Sequence, residues 1–346
     1  MIKSYIMIMA MLITYIIVKL IPIKNRNQLF LLMSFGEIFI ILILRTPISD
    51  MVTYVQSFKN LSLLSFSELM RLDWEKGYLI LNKVIAIISN NERVFIIITS
   101  FIGLIGPYIF IKKYSNNYLL SLVIYIGLNF LTIQYYLIRQ SIALTFVILS
   151  IEAINNRKLF KFIICICIAT LFHKSAIIFL IIYILSVMKI KKIYTYGIFV
   201  ITFIFREQIS RLFVGFSDYS VYFSDNSATL FGMNMLVLLI MCDIIMSILR
   251  HYERESKNTL EDKDEIILNR MYLTAIFFQI LALNTSMMAR IVMYFSIALV
   301  ILLPNNIMKV KNIYLKLTCY FIVFIAIFQY SIILPNNFQY ILFFGS

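Results

Sequence analysis

The sequence predicts an all-α integral membrane protein, a polytopic bundle of about 12 transmembrane helices. The first observation is composition: 62% of the residues are apolar and 14% are charged, against about 45–50% and roughly 25% in soluble domains. The second is a mean hydropathy of +0.91. The third is the recurrence of apolar runs along all 346 residues. These values exclude a soluble enzyme, a disordered chain and a nucleic-acid-binding domain, because such a composition cannot form a water-facing surface.

Twelve apolar segments are long enough to be predicted as spans, at about 20 residues for a full crossing. Backbone groups in hydrocarbon must hydrogen-bond within their own segment, so each segment is expected to be a helix. The net charge of +14 is interpreted as basic loops that orient the chain in the membrane. The predicted spans lie near residues 4–22, 29–44, 94–111, 118–135, 140–155, 159–172, 174–188, 193–206, 231–249, 267–284, 290–303 and 314–334.

A thirteenth apolar segment, 77–89, decides the topology of everything after it. If it crossed the membrane, five basic loops would lie outside; if it does not, 19 Lys and Arg residues lie inside and 12 outside. Basic residues favour the cytoplasmic side. We therefore predict an amphipathic or re-entrant helix at the outer surface. The whole chain, 1–346, is then a single polytopic domain with external loops 45–93 and 207–230 and a cytoplasmic loop 250–266.

Charged residues interrupt the apolar runs at three places. Arg139 and Gln140 divide one run, His173 and Lys174 divide another, and Arg290 begins a span. All three interruptions fall on the predicted outer side. A charge inside a span costs at least ~2.5–3.5 kcal/mol, which makes it a candidate for function. The alternative is a hairpin turn at the membrane interface, and for Lys174 we favour that alternative.

The kinds of charge on the predicted outer side indicate an anionic ligand. Arginine binds phosphate through a planar, permanently charged fork, and Arg45, Arg139 and Arg290 are available for a diphosphate. A divalent metal needs several acidic oxygens, but the acidic candidates Asp50, Glu75 and Asp218 are far apart in sequence. We therefore expect no required metal. The four cysteines all lie in apolar stretches and predict no disulfide framework.

His173 and the loop 45–78 carry the remaining candidates. A histidine at the outer mouth can act as a general base on a sugar hydroxyl or as a donor to phosphate. The alternative for His173 is a hydrogen bond at the membrane interface. The loop places Tyr54, Trp74 and Tyr78 near Asp50 and Glu75, and aromatic rings beside carboxylates are typical of sugar sites. An interfacial aromatic belt is the alternative for Trp74 and Tyr78.

Five strings of residues occur in an order and an approximate spacing that cover about 45–295. They are Arg45-x4-Asp50-x3-Tyr54, Trp74-Glu75-Lys76-Gly77-Tyr78, Ile138-Arg139-Gln140-Ser141-Ile142-Ala143, Leu171-Phe172-His173-Lys174-Ser175-Ala176 and Arg290-x3-Tyr294. Each string is weak alone, but together they resemble the EpsG family, the Wzy-type polymerases of bacterial capsule and exopolysaccharide repeat units.

The resemblance implies a GT-C-like glycosyltransferase at the outer face of the bacterial cytoplasmic membrane. It would polymerise oligosaccharide units carried on undecaprenyl diphosphate, without a cofactor. Expected partners are those lipid-linked oligosaccharides and membrane lipids, with a chain-length regulator and a flippase of the same pathway as further candidates. The expected residues are His173, Glu75 and Asp50 for catalysis, Arg139, Arg290 and Arg45 for the diphosphate, and Gln140, Tyr54, Tyr78, Trp74 and Tyr294 for the substrate.

Two alternatives of other classes stay open at this point. One is a flippase or another transporter of lipid-linked oligosaccharides. Such a protein would be expected to hold cations at mid-membrane depth and to show repeat symmetry, whereas the arginines here lie towards one face. The other is a ligase or an acyltransferase that uses the same carrier.

Overall fold

A computed structural model describes residues 4–215, 226–254 and 263–333, and it contains helices and no strands within those ranges. The helices form two compact units, which meet in sequence between Ile177 and Ile178. The all-α class predicted from the sequence is confirmed. The prediction of one polytopic domain concerns how the two units associate, and it stays a prediction.

The first unit contains ten α-helices, connected by short segments. After the tenth comes the 3₁₀ helix Lys174–Phe179. The ten helices are α1 (Ser4–Leu20), α2 (Arg26–Ile43), α3 (Asp50–Leu63), α4 (Phe66–Arg71), α5 (Lys76–Ile88), α6 (Glu92–Tyr114), α7 (Tyr118–Gly127), α8 (Phe130–Tyr136), α9 (Ile138–Asn155) and α10 (Leu159–Phe172).

The second unit is also helical throughout its described residues. Its helices are α11 (Leu180–Val187), α12 (Lys192–Ile204), α13 (Arg206–Gly215), α14 (Asn226–Arg254), α15 (Lys263–Ala282), α16 (Ser286–Ser296), α17 (Leu299–Lys309) and α18 (Ile313–Ile333).

Each of the twelve predicted spans corresponds to one helix or to two consecutive helices. Within the described residues, six stretches are long and apolar enough to cross a membrane, and the bent pair α7–α8 makes a seventh. Five shorter apolar helices make up the rest of the predicted set. The chain is therefore an all-α polytopic membrane protein, while twelve crossings remains a prediction.

The span predicted at 118–135 is bent by 59°. The bend lies where α7 ends and α8 begins, at Asn129, whose φ of 62° is left-handed. Asparagine tolerates this conformation better than most residues and commonly ends a helix in it. Its effect is to set α8 at a steep angle just before the start of α9.

Small residues hold α6 and α9 in close contact. A Cβ on Gly106 would lie 2.6 Å from the Cα of Thr145, so the two backbones meet where a side chain is missing. Thr145 Oγ1 lies 3.0 Å from the carbonyl oxygen of Ile102 and 3.1 Å from that of Gly103. Small residues and hydroxyl groups at a helix contact are typical of membrane bundles. This contact fixes α9, which carries Arg139 near its first residue.

Helix α5 occupies the segment predicted not to cross. Its 13 residues extend only about 20 Å at ~1.5 Å per residue, less than the ~30 Å of a hydrocarbon core. Its lysines hold neighbouring helix ends: Lys76 Nζ donates to the carbonyls of Met70 and Leu72, and Lys83 Nζ to those of Ser62 and Leu64. These bonds complement helix C-termini and join α3, α4 and α5 into one assembly. The side of the membrane on which α5 lies stays a prediction.

Some sequence-based predictions lie outside the described residues. They are the candidate acid Asp218 and the middle parts of the predicted loops 207–230 and 250–266. Residue 334, the end of the last predicted span, also lies outside the described residues.

Candidate functional site

Glu75 is placed by a close contact between α5 and α10. It is the residue before α5, with extended backbone angles, and the residue is buried, at 9% exposure. Two residues on, a Cβ on Gly77 would lie 2.8 Å from the carbonyl oxygen of Leu171 and 2.9 Å from its Cβ. Only glycine allows this approach without displacing α10. The contact brings the start of α5 beside the end of α10, which His173 terminates.

The carboxylate of Glu75 forms an ion pair with Arg139. Arg139 Nη1 donates to Glu75 Oε2 at 2.5 Å, and both side chains are largely buried, at 26% and 8% exposure. This ion pair was not predicted from the sequence. The partner lies 64 residues away in sequence, and α9 and α5 bring the two together.

His173 and Lys174 approach the other oxygen of the same carboxylate. His173 Nδ1 lies 3.6 Å from Glu75 Oε1, and the backbone N–H of Lys174 donates to that oxygen at 3.5 Å. Lys174 is the first residue of the 3₁₀ helix, and N–H groups at a helix start favour negative charge. This use of a backbone amide has no signature in the sequence, so it was not predicted.

The surroundings of Glu75 keep it ionised. Burial raises the pKa of its carboxyl group, but the approach of His173 and the charge of Arg139 outweigh burial and bring the pKa to about 2. A carboxylate with so low a pKa is a weak base. Such a carboxylate is suited to holding the arginine and the histidine in place, and the catalytic role predicted for Glu75 stays a prediction.

Three aromatic rings surround the guanidinium of Arg139. Its Cζ lies 5.1 Å from the ring centre of Trp74, 5.6 Å from that of Tyr54 and 6.0 Å from that of Tyr78. Arg139 Nε also donates to the Tyr54 hydroxyl at 3.4 Å. Cation–π contacts of this kind orient a guanidinium and stabilise its charge. Six of the predicted site residues thus lie in one cluster, which we call the Glu75 cluster: Tyr54, Trp74, Glu75, Tyr78, Arg139 and His173.

Arg45 lies outside this cluster and holds the backbone. It is fully buried, and its Nη1 donates to the carbonyls of Gln134 and Tyr135 at 2.7 and 2.8 Å. These carbonyls belong to the last turn of α8 (Phe130–Tyr136), so Arg45 places a cation at the C-terminus of that helix. Burial lowers the pKa of Arg45 to about 10, which still leaves it charged at pH 7. Its predicted contact with a diphosphate is untested.

Asp50 and Gln140 each lie in the same helix as one residue of the cluster, close to it in sequence. Asp50 is exposed in the first turn of α3, one helical turn before Tyr54. Gln140 follows Arg139 in α9 and is buried at 3% exposure. Consecutive residues of a helix do not lie on the same face, so the side chain of Gln140 leaves α9 on a different side from that of Arg139. The roles predicted for both remain predictions.

Arg290 and Tyr294 belong to the second unit, where both lie in α16. They are four residues apart and so share one face of that helix. Arg290 is half-buried and Tyr294 is fully buried. Their predicted roles in binding diphosphate and substrate stay predictions.

One buried acid was missed by the sequence analysis. Asp243 lies in α14, inside the predicted span 231–249, and is 7% exposed; its Oδ2 accepts a hydrogen bond from Tyr196 at 2.8 Å. An acidic residue inside an apolar run is itself the signal that could have found it. In the part of the chain that the structure describes, no three His, Cys, Asp or Glu side chains are grouped as metal ligands would be.

The cluster contains residues from four of the five strings on which the family resemblance rests, and the sequence model of the EpsG family matches residues 28–343. The chain belongs to the EpsG family. No curated protein and no solved structure matches it in the corresponding comparisons. Membership of the EpsG family, together with the apolar helices, assigns this chain to the membrane and to polysaccharide biosynthesis, and it fits a general role as a polysaccharide polymerase.

Proposed function

We propose that this EpsG-family protein is a Wzy-type polymerase that joins oligosaccharide units carried on undecaprenyl diphosphate. The observation that carries the proposal is the Glu75 cluster, in which a guanidinium, an imidazole and a carboxylate meet beside three aromatic rings. The cluster offers a cation for phosphate, a base for a hydroxyl group and ring faces for sugars. These are the three requirements of a glycosyl transfer from a lipid diphosphate.

Arg139 would stabilise the diphosphate as it leaves. Its Nη1 is held by Glu75, and its plane is held by Tyr54, Trp74 and Tyr78. A guanidinium fixed in this way loses little further freedom when it binds an anion. Its partial exposure of 26% gives the phosphate a route to it. The role of Arg290 as a second diphosphate ligand rests on the sequence alone.

His173 would activate the acceptor hydroxyl group. Because its Nδ1 lies on the Glu75 side, proton transfer is assigned to Nε2, and the carboxylate would stabilise the imidazolium that forms. The acceptor oxygen forms a bond to the anomeric carbon while its proton passes to Nε2. The bond from that carbon to the diphosphate breaks, and the leaving diphosphate takes the electron pair. Glu75 is then a positioning residue.

The proposed place of the reaction is the outer face of the bacterial cytoplasmic membrane, and its proposed products are capsular or exopolysaccharide chains. The support is the distribution of basic loops, which puts the Glu75 cluster outside when α5 does not cross. Cysteine labelling tests this orientation. Single cysteines at Asn116 and Asn156 should react only after the membrane is permeabilised. Reaction of either residue in intact cells would contradict the proposed orientation.

The experiment that tests the function is carbohydrate analysis of a strain from which the gene is deleted. A polymerase is required only after the repeat unit is complete, so this strain should accumulate single lipid-linked units and lack polymer. Restoring the gene should restore the polymer. Normal polymer in the deletion strain would overturn the proposal, and so would the absence of finished units at the outer face, since that result is typical of a flippase defect.

A further inference from the structure

A groove in the second unit is built entirely from α12, α14 and α15. Its volume is about 830 Å³. Residues of α14 line it at intervals of three and four, which places them along one face of that helix. The lining residues of α14 include Met233, Val237, Ile240, Ile244, Ser247 and His251.

The lining changes character along α14. From Met233 to Ile244 the helix presents apolar side chains, apart from Asp243 at the end of this stretch. From Ser247 to His251 it presents Ser247, Ile248 and His251, and Tyr196 of α12, which donates to Asp243, lies at this same end. The groove surface is therefore mainly apolar, and its few polar side chains are gathered towards one end.

The apolar part matches one leaflet of a bilayer. Met233 and Ile244 are 11 residues apart, about 16 Å at ~1.5 Å per residue. A leaflet contributes about half of the ~30 Å hydrocarbon core. This depth suits an acyl chain of a phospholipid, which ends at the bilayer centre, better than a long polyprenyl chain.

Basic residues lie near the helix ends at this end of the groove, and of these His251 lines it. Lys191 immediately precedes α12, and Arg250 and His251 lie in the last turns of α14. Arg270, near the start of α15, donates to the carbonyls of Met188 and Ile190, which ties its charge to the segment before α12. Asp243 is an acid that lines the groove. Glu265, which precedes Arg270 in α15, forms an ion pair with Lys309 at 2.7 Å. Basic sites between membrane helices are typical of sites for anionic head groups.

From these observations we infer that the groove binds one anionic phospholipid, with an acyl chain along Met233–Ile244 and its phosphate at the end marked by His251. The apolar wall separates the acyl chain from other lipids, and the basic residues at the end of the groove favour a negative head group. Because the groove consists of second-unit residues only, the inference does not depend on the role of the Glu75 cluster. The bound lipid would stabilise the folded protein by mass action.

The test uses two tryptophan variants of α14. Ile240 lines the groove and Met241 does not, yet both side chains are 44% exposed, so they form a matched pair. The purified full chain is washed free of loosely held lipid in detergent, supplied with phosphatidylglycerol or phosphatidylcholine, and weighed by native mass spectrometry. Thermal unfolding is measured on the same samples.

The expected result is one phosphatidylglycerol retained by the wild-type protein and by Met241→Trp, and none by Ile240→Trp. Phosphatidylglycerol should raise the melting temperature of the first two proteins only, and phosphatidylcholine should be retained at least about tenfold more weakly. The inference is overturned if the wild-type protein retains no lipid, or if Ile240→Trp and Met241→Trp retain it equally. It is also overturned if phosphatidylcholine is retained as strongly as phosphatidylglycerol, or if undecaprenyl phosphate displaces phosphatidylglycerol at equal concentration.

Discussion

Glu75 and Arg139 are 64 residues apart in sequence, and the shortest distance between their side chains is 2.5 Å. The pair joins the start of α5 to the start of α9. It also connects the two halves of the Glu75 cluster, because the same carboxylate lies next to His173 and the same guanidinium lies between the aromatic rings. Changes at either residue should therefore affect both proposed functions, phosphate binding and proton transfer.

Arg139→Lys keeps the positive charge and removes the planar fork. A lysine cannot pair with Glu75 and stack between Trp74 and Tyr54 in the same way, so we expect polymerisation to fall at least about tenfold, with normal amounts of protein in the membrane. The measurement is polymer yield and length in a complemented deletion strain. Arg71→Lys, at an exposed position in α4, is the control. Wild-type polymer from Arg139→Lys would remove the proposed role of the fork.

His173→Gln separates proton transfer from hydrogen bonding. Glutamine keeps a donor that can face Glu75 but cannot take a proton from a hydroxyl group, so the turnover rate should fall by about 10²–10⁴-fold. The assay follows chain growth with purified protein and lipid-linked substrate. Lys174→Gln keeps its backbone N–H and should retain most of the activity. Full turnover by His173→Gln would exclude proton transfer by His173 and leave only a binding role.

Gly77→Ala tests the contact that positions Glu75. The new Cβ would lie 2.8 Å from the backbone oxygen of Leu171, so α5 and α10 must separate by a few tenths of an ångström or more. We expect a lower melting temperature and lower polymerisation activity. Gly36→Ala, where a Cβ meets no atom within 4 Å, should be neutral or slightly stabilising, by up to ~1 kcal/mol, as in an ordinary helix. Equal melting temperatures for the two variants would contradict the tight contact.

The ionisation of Glu75 should make stability depend on pH in the acid range. Its pKa is about 2 when folded, against a reference value of 4.5, so the folded state binds the proton less readily than the unfolded state. The stabilising contribution is complete above pH 4.5 and is lost as the pH falls towards 2. Melting temperatures of the wild-type protein and Glu75→Gln should therefore differ most at pH 5–7, and the difference should shrink by about half or more at pH 3 and vanish towards pH 2. A difference that stays constant over pH 3–7 would contradict this assignment.

Most of the fold was predictable because hydrocarbon leaves the backbone few choices. Every predicted span is helical, since an apolar run in a membrane must satisfy its own hydrogen bonds. The bend at Asn129 was not predicted, because one asparagine in an apolar run does not reveal its backbone angles. The order of helices in space, such as α6 against α9 through Gly106 and Thr145, depends on packing that spacing along the chain does not encode.

Six of the eleven residues predicted for the site lie together in the Glu75 cluster, but their pairing was not predicted. Charges and aromatic residues that break apolar patterning identified Arg139, His173 and Trp74. The partner of Arg139 was missed because Glu75 lies on another helix. Arg45 was predicted as a phosphate ligand from its residue type, and that role is untested. Its Nη1 binds the carbonyls of Gln134 and Tyr135, and no sequence pattern predicts such a tertiary contact.

The most direct test of the central claim compares Glu75→Gln with Glu92→Gln in polymerisation by purified protein. Both residues lie near a helix start and form an ion pair. Glu92 pairs with Lys59 at the surface, and the two side chains are 33% and 58% exposed. Exposed pairs of this kind contribute little to stability. Removing the charge of Glu75 frees Arg139 and His173, and a charge-assisted bond is worth about 1.5–3 kcal/mol. We expect the rate to fall about tenfold to a hundredfold for Glu75→Gln and to stay at the wild-type value for Glu92→Gln. Polymer of normal length, made at the wild-type rate by Glu75→Gln, would contradict this expectation.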